Sequence, residues 1–429
     1  MSRFKILLGV VWGVTLALSA SALPAETVAI TGGRVVTLGP AGTIDGGTVL
    51  IQDGKIRAVG RDVSIPAGAR RIDATGKIVT PGFMDSLARL GLVEVGAVEE
   101  TVDTRTENDR ITAAFNVADA LNPRSMLMAT NRVEGLTRAL VAPAPGNSLI
   151  AGQGALIHLG GSNDFLLRSP MGMFAVLGST GARLAGGSRA AGMLQLREVL
   201  HDAREYARDR KSYEQGDRRE LAVSRLDLEA LQPVLEGKMP LVLAVNRASD
   251  VQAALRMAKE EKLKLILAGC GECWVVAREI AAARVPVLIT PLNNLPGNFD
   301  VLGATLENAA RLHSQGVTFA FMSVSAHEAY SIRQQAGNAV AYGLPWEAAL
   351  TALTSVPARL WGIDESYGTL EPGKDADVVV WTGDPLEVVT WAEAVFIRGA
   401  QMPMTSRQME LRDRYKDVGG ATPPAYRRP

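Results

Sequence analysis

The feature that most constrains the fold is a regular alternation of strands and helices in the second half of the chain. Continuously apolar runs occur at LVLAVN (241–246), LKLILAG (263–269), PVLIT (286–290) and VTFAFMS (317–323), and an amphipathic helical pattern follows each of them. Strands that are apolar throughout are typical of parallel sheets covered by helices on both faces. Two more strands are expected near 78–84 and 137–142, so the pattern favours an α/β fold with a TIM-type (β/α)8 barrel over an open sheet.

The regions on either side of this alternation have few helical patterns. Residues 27–75 read as short strands, and Asp53-Gly54 separates two of them, which predicts a hairpin because both turn positions tolerate positive φ. Near the other end, DADVVVWTG and AVFIRG predict two further strands. Residues 187–236 are charged and helical, and we expect one extended barrel helix or an inserted helical pair there.

The N-terminus has the pattern of a cleaved signal peptide covering residues 1–22. Arg3 and Lys5 precede an apolar run from Ile6 to about Leu18, and Ala20-Ser21-Ala22 supplies small residues for cleavage. The alternative is a membrane anchor, but the run is shorter than the ~20 residues of a spanning helix. We therefore expect a periplasmic or secreted protein with no stable membrane anchor after cleavage.

The balanced charge of the chain argues against a nucleic-acid partner. The 45 basic and 45 acidic residues balance, and removal of the leader with Arg3 and Lys5 leaves 43 against 45. No basic stripe stands out from the mixed-sign helices, so the sequence does not indicate a nucleic-acid partner. Large barrels often pair, and a homodimer stays open as an alternative to a monomer.

Six segments spread along the chain carry a resemblance to a known family: IVTPGFMDS (78–86), GLTRALVAP (135–143), GQGALI (152–157), NRASDV (246–251), GNAVAYGLPWEAALTALTSVPARLWGI (337–363) and GTLEPGKDADVVV (368–380). Together they resemble the amidohydrolase superfamily, in particular its imidazolonepropionase-like branch. The resemblance implies a small β-sandwich built from both chain termini, 23–76 and 364–404, beside a barrel at 77–363. Residues 405–429 would form a C-terminal tail, expected to be irregular or a partner contact.

The family hydrolyses C–N bonds of amides and cyclic amides with one or two divalent metals, zinc, iron or manganese, that activate water and polarise the carbonyl. Its ligands lie at the C-terminal ends of barrel strands. The family's first-strand His-x-His motif falls here on PGFMDSLARLG. The five ligand positions that can be read are occupied by Leu87, Arg89, Ala244, Gly271 and Val324, and the fourth-strand ligand cannot be placed.

None of these five residues is a metal ligand. Leu87, Ala244, Gly271 and Val324 carry no side-chain donor, and Arg89 stays protonated and would repel a cation. Since a metal at this site needs about four good donors, we expect no bound metal and no other cofactor. Of the four histidines in the chain, His327 alone follows the C-terminal end of a predicted strand.

The strand ends still offer candidates for binding a small molecule. Arg89 and Arg247 would form a cationic pocket for an anionic or amide-like ligand, with Asn246 and Ser323 beside them. The alternative is local ion pairing, of Arg89 with Asp85 or Glu94 and of Arg247 with Asp250. The acidic stretch 94–109 is expected to be a loop over the barrel mouth.

Two residues are candidates for catalysis, and two cysteines are candidates for redox chemistry. His327 lies beside Glu328, Ser323 and Ser325, and these residues form a nucleophile–base set only if the fold aims their side chains at each other. Glu272 is the second candidate, inside the sequence Cys270-Gly271-Glu272-Cys273 between a strand and a helix. The two cysteines are redox candidates because a helix N-terminus lowers a thiol pKa, and the alternatives are two partly buried thiols or one local disulfide.

Three hypotheses follow from the sequence. The first is an exported, degenerate family member without metal that binds a small ligand in the former active-site pocket. The second is an active hydrolase of C–N bonds with a non-standard site, because the loops and closing segments of the family are otherwise present. The third is a thiol redox role for Cys270 and Cys273. The sequence leaves open whether the protein is an enzyme.

Overall fold

The structure is a computed structural model that describes residues 26–161, 164–215, 221–293 and 295–416. The expected signal peptide at 1–22 and the end of the tail, 417–429, lie outside the described residues. In the described ranges, no helix is long and apolar enough to cross a membrane.

The strands of the described residues fall into three sheets. In chain order they are β1 (Val28–Val36), β2 (Thr43–Gln52), β3 (Lys55–Gly60), β4 (Arg70–Asp73), β5 (Ile78–Pro81), β6 (Phe83–Ala88), β7 (Leu136–Val141), β8 (Ile150–Gln153), β9 (Ala155–His158), β10 (Leu166–Arg168), β11 (Met173–Val176), β12 (Leu241–Val245), β13 (Leu265–Gly269), β14 (Val287–Ile289), β15 (Phe319–Phe321), β16 (Val378–Trp381), β17 (Ala392–Ile397) and β18 (Ala400–Gln401).

The helices lie mostly between strands of the barrel region. They are α1 (Met126–Arg132), α2 (Gly178–Leu184), α3 (Arg189–Arg208), α4 (Arg210–Glu214), α5 (Arg225–Ala230), α6 (Gln232–Leu235), α7 (Ala248–Glu260), α8 (Ala277–Ala283), α9 (Asn308–Ser314), α10 (Ile332–Ala341), α11 (Trp346–Leu353), α12 (Ser355–Leu360) and α13 (Arg407–Tyr415). The charged insertion is thus one long helix, α3, followed by three short ones. The tail, expected to be irregular, instead contains helix α13.

Strands from both ends of the chain form one eight-stranded sheet. Its order is β18-β17-β16-β5-β1-β2-β3, with β4 paired to β1. The predicted hairpin joins β2 to β3, with Asp53 and Gly54 both at positive φ. The two chain ends meet where β16 pairs antiparallel with β5. This sheet extends to Pro81, five residues beyond the boundary at 76 that the sequence predicted, because β5 completes it before the chain enters the barrel region.

The barrel strands are divided between two sheets. One has the order β10-β9-β7-β6 and the other β15-β14-β13-β12-β11-β8. Strands β11 to β15 run parallel to one another, and for β12 to β15 this is the arrangement that the strand–helix alternation predicted. The segment containing β8 and β9 runs antiparallel to β11 on one side and to β7 on the other.

The eight-fold parallel barrel is therefore confirmed only in part, because the sheets are mixed and no continuous ladder closes them. Short contacts join the sheets instead. The N–H of Val324 donates to the carbonyl of Leu87, and the N–H of Arg89 donates to the carbonyl of Ser325, each at 2.9 Å. These bonds bring the end of β15 beside the end of β6. An apolar core fills the space that the strands enclose, with members such as Met84, Phe174 and Val242.

A buried ion-pair network fixes the terminal sheet to the barrel strands. Arg138 on β7 is 2% exposed, and its guanidinium donates to Asp377 Oδ2 at 2.9 Å and to Asp375 Oδ2 at 2.6 Å. It also lies 4.3 Å from the ring centroid of Tyr367. Burial alone would lower the Arg138 pKa, but the adjacent Asp377 carboxylate outweighs it and raises that pKa above its usual range.

Candidate ligand site at the barrel mouth

A cavity of about 240 Å³ lies where the C-terminal ends of the barrel strands meet. It is lined by side chains and backbone from both barrel sheets: Leu87, Arg89, Pro143, Pro145, Ala151, Phe174, Ala175, Val176, Val242, Ala244, Asn246, Ala268, Gly269, Met322 and Val324. Most of this surface is apolar. A concave, largely apolar site with a few polar groups is the usual form of a small-molecule pocket.

The fold brings four of the five predicted ligand positions to this cavity. Leu87, Arg89, Ala244 and Val324 all line it, although they are far apart in the sequence. On the sixth barrel strand, Gly269 lines the cavity, whereas the predicted position, Gly271, does not. Gly271 lies beyond the strand end, packed against Val301.

The residues at this site do not fit a divalent cation. Leu87, Ala244 and Val324 present hydrocarbon where lone pairs would be needed, and Arg89 presents a positive charge. Within the described ranges, no group of three or more histidine, cysteine, aspartate or glutamate residues is placed to hold a metal. Substrate activation through a metal therefore has no set of ligands to support it at this position.

Arg89 is held by the backbone of the second barrel strand. Its Nη1 donates to the carbonyls of Ala142 and Pro143, the latter at 2.9 Å. Neither the Asp85 nor the Glu94 ion pair that the sequence allowed is formed, because the guanidinium turns toward these carbonyls. Burial lowers the Arg89 pKa to about 10, partly countered by the nearby Asp85 charge, so the side chain remains cationic at neutral pH.

Asp85 lies beneath the cavity and was not among the sequence-predicted site residues. Its carboxylate is 0% exposed and accepts hydrogen bonds from the N–H of Leu87 at 3.0 Å and the N–H of Ser323 at 3.2 Å. The hydroxyl of Ser323 donates to its second oxygen. Burial raises the Asp85 pKa to about 6 in spite of these bonds. A buried aspartate in an otherwise apolar strand is the signal that would have identified it.

Two of the predicted binding residues are not at the cavity. Arg247 is exposed and does not line it, and Asp250, its expected partner, pairs with Arg189 at 3.1 Å. The pair of arginines expected from the sequence is therefore replaced by Arg89 alone. Ser323 lies behind the lining, where its hydroxyl is engaged by Asp85. Asn246, the remaining binding candidate, does line the cavity.

The two catalytic candidates are also placed elsewhere. His327 is exposed, and its Nε2 lies 3.1 Å from the carbonyl oxygen of Glu94, in the loop expected over the mouth. Glu272 uses both carboxylate oxygens on backbone: Oε2 accepts from Ala248 N–H at 3.1 Å and Oε1 from Gly303 N–H at 2.9 Å. Neither residue lines the cavity, so the geometry gives both a structural role in the loops around it.

Cys270 and Cys273 form a disulfide, and both are 0% exposed. The local-disulfide alternative is thus the one the structure contains. Thiol–disulfide exchange requires access of an attacking thiolate to a sulfur, and burial of both residues withholds that access in the folded protein.

The chain is similar in sequence to several known proteins. Residues 254–404 match the model of the Amidohydrolase family. The amidohydrolase tasK of Hapsidospora irregularis is 25% identical over 387 residues, which are 82% of this chain and 39% of that protein, so the chain spans about two fifths of that relative. An imidazolonepropionase of Salinispora tropica is 46% identical over 61 residues, 14% of this chain and 16% of that one.

Among solved structures, an amidohydrolase from Thermotoga maritima superposes with a TM-score of 0.79 at 26% identity. That superposition covers 89% of this chain and 100% of the other. The likeness therefore extends over most of the chain.

Proposed function

The chain belongs to the amidohydrolase superfamily, and from that premise we propose that its barrel mouth binds a small molecule without the metal-dependent hydrolysis typical of the family. One observation carries the proposal. The side chains that converge on the cavity from the ligand positions are Leu87, Arg89, Ala244 and Val324. They keep the shape of a pocket but replace the metal donors with hydrocarbon and one cation.

The ligand is a small anionic or amide-like compound, in keeping with the compounds on which the family acts. The cavity of about 240 Å³ lies just below the ~300 Å³ lower end of common small-molecule sites. Its apolar walls favour a hydrocarbon body, and Arg89 and Asn246 supply the polar contacts.

Metal analysis of the purified protein tests the proposal directly. We expect far less than one equivalent of zinc, iron or manganese per chain after exposure to each metal and gel filtration, and no effect of a chelator on the thermal unfolding midpoint. Close to one equivalent of metal, together with chelator-sensitive cleavage of acyl-amino or cyclic amide substrates, would instead establish the second hypothesis, an active hydrolase.

We also propose that the protein is exported. The leader pattern at 1–22 supports this, and so does the disulfide between Cys270 and Cys273, because disulfides persist mainly in oxidising compartments. Mass spectrometry of the protein recovered from its native host should give the mass of a chain that begins at Leu23. Recovery of the intact chain in the membrane fraction would contradict cleavage.

A further inference from the structure

We propose that the barrel-mouth cavity selects a small monocarboxylate over the corresponding neutral amide, with the carboxylate on the free edge of the Arg89 guanidinium and an apolar body against the cavity wall. The inference rests on the proposed function and narrows its ligand class. It follows from which polar atoms at the cavity are already engaged and which remain free.

The free edge of Arg89 is the main recognition element. Both of the hydrogen bonds that its guanidinium makes within the described residues come from Nη1, which donates to the carbonyls of Ala142 and Pro143. Its Nε and Nη2 have no hydrogen-bond partner in the part of the chain that the structure describes, and they are not sealed from solvent-accessible space. Nε and Nη2 point in the same direction as a two-pronged donor, which matches the two oxygens of a carboxylate.

Asn246 adds a second donor. The N–H of Gly271 donates to Asn246 Oδ1 at 3.2 Å, which fixes the orientation of the amide because a backbone N–H can bond only to its oxygen. The Nδ2 group then has no acceptor among the described residues. Since Asn246 and Arg89 both line the cavity, the free polar side-chain atoms there are donors.

The side-chain acceptors near the cavity are already engaged. The Asp85 carboxylate is 0% exposed and accepts from Leu87 and Ser323, Asn246 Oδ1 accepts from Gly271, and the carbonyls of Ala142 and Pro143 accept from Arg89. A bound amide would bring two N–H donors to a lining whose polar side chains have donors free rather than acceptors. An unpaired buried donor costs about 1–3 kcal/mol, whereas a carboxylate carries acceptors alone.

The charge and the size of the cavity lining restrict the class of ligand further. Among the described residues that line the cavity, Arg89 is the one with a cationic side chain, so it balances a single negative charge. A phosphate dianion would leave an uncompensated charge and additional oxygens against Phe174, Val242 and Met322. A short branched or aromatic acid has the one anionic group and the hydrocarbon surface that such a lining accommodates.

Matched acid and amide pairs test this selectivity, with isovalerate against isovaleramide and benzoate against benzamide. Dissociation constants are measured by ligand-observed NMR titration of the purified protein at pH 7.5, where Arg89 is cationic. Because hydrogen bonds to charged groups are stronger than those between neutral groups, we expect at least one acid to bind roughly 10- to 100-fold more tightly than its amide. Binding of acid and amide with equal affinity, or binding of neither acid, overturns the inference.

Three variants locate the site. Arg89→Met should lose the preference for the acid, and Arg89→Lys, which keeps the charge but not the paired donors, should recover part of it. Ala244→Leu should abolish binding of both compounds by filling the cavity. Arg256→Met is the matched control, because Arg256 is exposed on α7 and away from the cavity lining. Acid binding that survives both Arg89→Met and Ala244→Leu would place the ligand elsewhere and overturn the inference.

Metal content tests the proposed function, whereas the relative affinity for acid and amide tests the carboxylate selectivity. A protein that holds stoichiometric metal contradicts the proposed function, whatever it binds. A metal-free protein that binds acid and amide equally contradicts only the carboxylate selectivity. Circular dichroism spectra and unfolding midpoints of the Arg89 variants exclude misfolding as the cause, and Ala244→Leu gives an independent measure that leaves Arg89 in place.

Discussion

Ser323 donates two hydrogen bonds to the carboxylate of Asp85, one from its N–H at 3.2 Å and one from its hydroxyl. Asp85 lies on β6 and Ser323 follows β15, so the contact ties the first barrel strand to the last. The ladder between these strands is not continuous, and this side-chain contact joins them directly beneath the cavity. The same Ser323 hydroxyl accepts from the N–H of Ser325 at 3.0 Å.

The first prediction concerns the pH dependence that Asp85 contributes. Burial raises its pKa from 3.8 to about 6, so the folded protein binds a proton that the unfolded chain has lost between these values. The stability from this residue is complete below pH 3.8 and is lost as the pH rises through about 6. Asp85→Asn cannot ionise and lacks this dependence.

We therefore expect the wild type to gain roughly 1 kcal/mol relative to Asp85→Asn when the pH falls from 7.5 to 5. Urea unfolding of both proteins at the two pH values measures the difference. An unchanged difference between them would mean that Asp85 has an ordinary pKa in the fold.

The second prediction concerns the junction between the terminal sheet and the barrel. Arg138→Met leaves Asp375 and Asp377 without their buried partner, and loss of one member of a buried ion pair costs about 3–5 kcal/mol. Urea unfolding measures the loss. Arg34→Met is the control, since the Arg34–Asp45 pair is exposed and 3.8 Å apart. Equal effects of the two substitutions would argue against a structural role of the buried network.

The third prediction concerns the loop that follows β14. Asp300 is 4% exposed, accepts from the N–H of Ser179 at 2.7 Å and pairs with Arg189, which also bonds Asp250. These contacts fasten the loop to the N-terminal ends of helices α2, α3 and α7. Arg189→Met should release the loop and allow local unfolding around Phe299, which is 83% exposed.

Limited proteolysis with chymotrypsin measures this release. Cleavage at Phe299 should accelerate by roughly 5- to 30-fold, the factor that corresponds to 1–2 kcal/mol. Arg197→Met, which removes an exposed pair with Glu260 on the helical surface, is the control and should leave the rate unchanged. A rate that does not respond to Arg189→Met would show that other contacts hold the loop.

The fourth prediction concerns the disulfide. Replacement of both Cys270 and Cys273 by serine should lower the free energy of unfolding by about 2 kcal/mol, the chain-entropy value for so short a loop. Thermal unfolding measures this change. A redox role predicts a different result: the native protein would exchange its disulfide with a small dithiol in the absence of denaturant, which burial of both residues opposes.

Local patterns in the sequence were sufficient to predict much of the secondary structure. The hairpin at Asp53-Gly54, the apolar strands β12 to β15 and the strands at both chain ends each follow from residues close together in the chain. The predicted strand 263–269 ends at Gly269 as observed, but the ligand position assigned to Gly271 lies beyond it, because Cys270 turns the chain at positive φ. Nothing in the local pattern specifies this turn.

The sequence did not predict which groups the polar side chains bond. Arg89 was expected to pair with Asp85 or Glu94 and instead bonds the carbonyls of Ala142 and Pro143, more than fifty residues away. Glu272, a catalytic candidate by type, bonds the backbone of Ala248 and Gly303. Each choice depends on which groups another strand or loop leaves without a partner, and sequence proximity does not determine that.

The sequence alone determined which side chains are available to this site, since those of Leu87, Ala244 and Val324 have no metal-binding atom in any conformation and that of Arg89 is a cation. The tertiary structure decided which of these residues share a cavity, that Nε and Nη2 of Arg89 have no partner among the described residues, and that Arg247 lies outside the lining. The division has a physical reason: donor chemistry belongs to the individual side chain, whereas burial and partnership arise only when distant strands pack together.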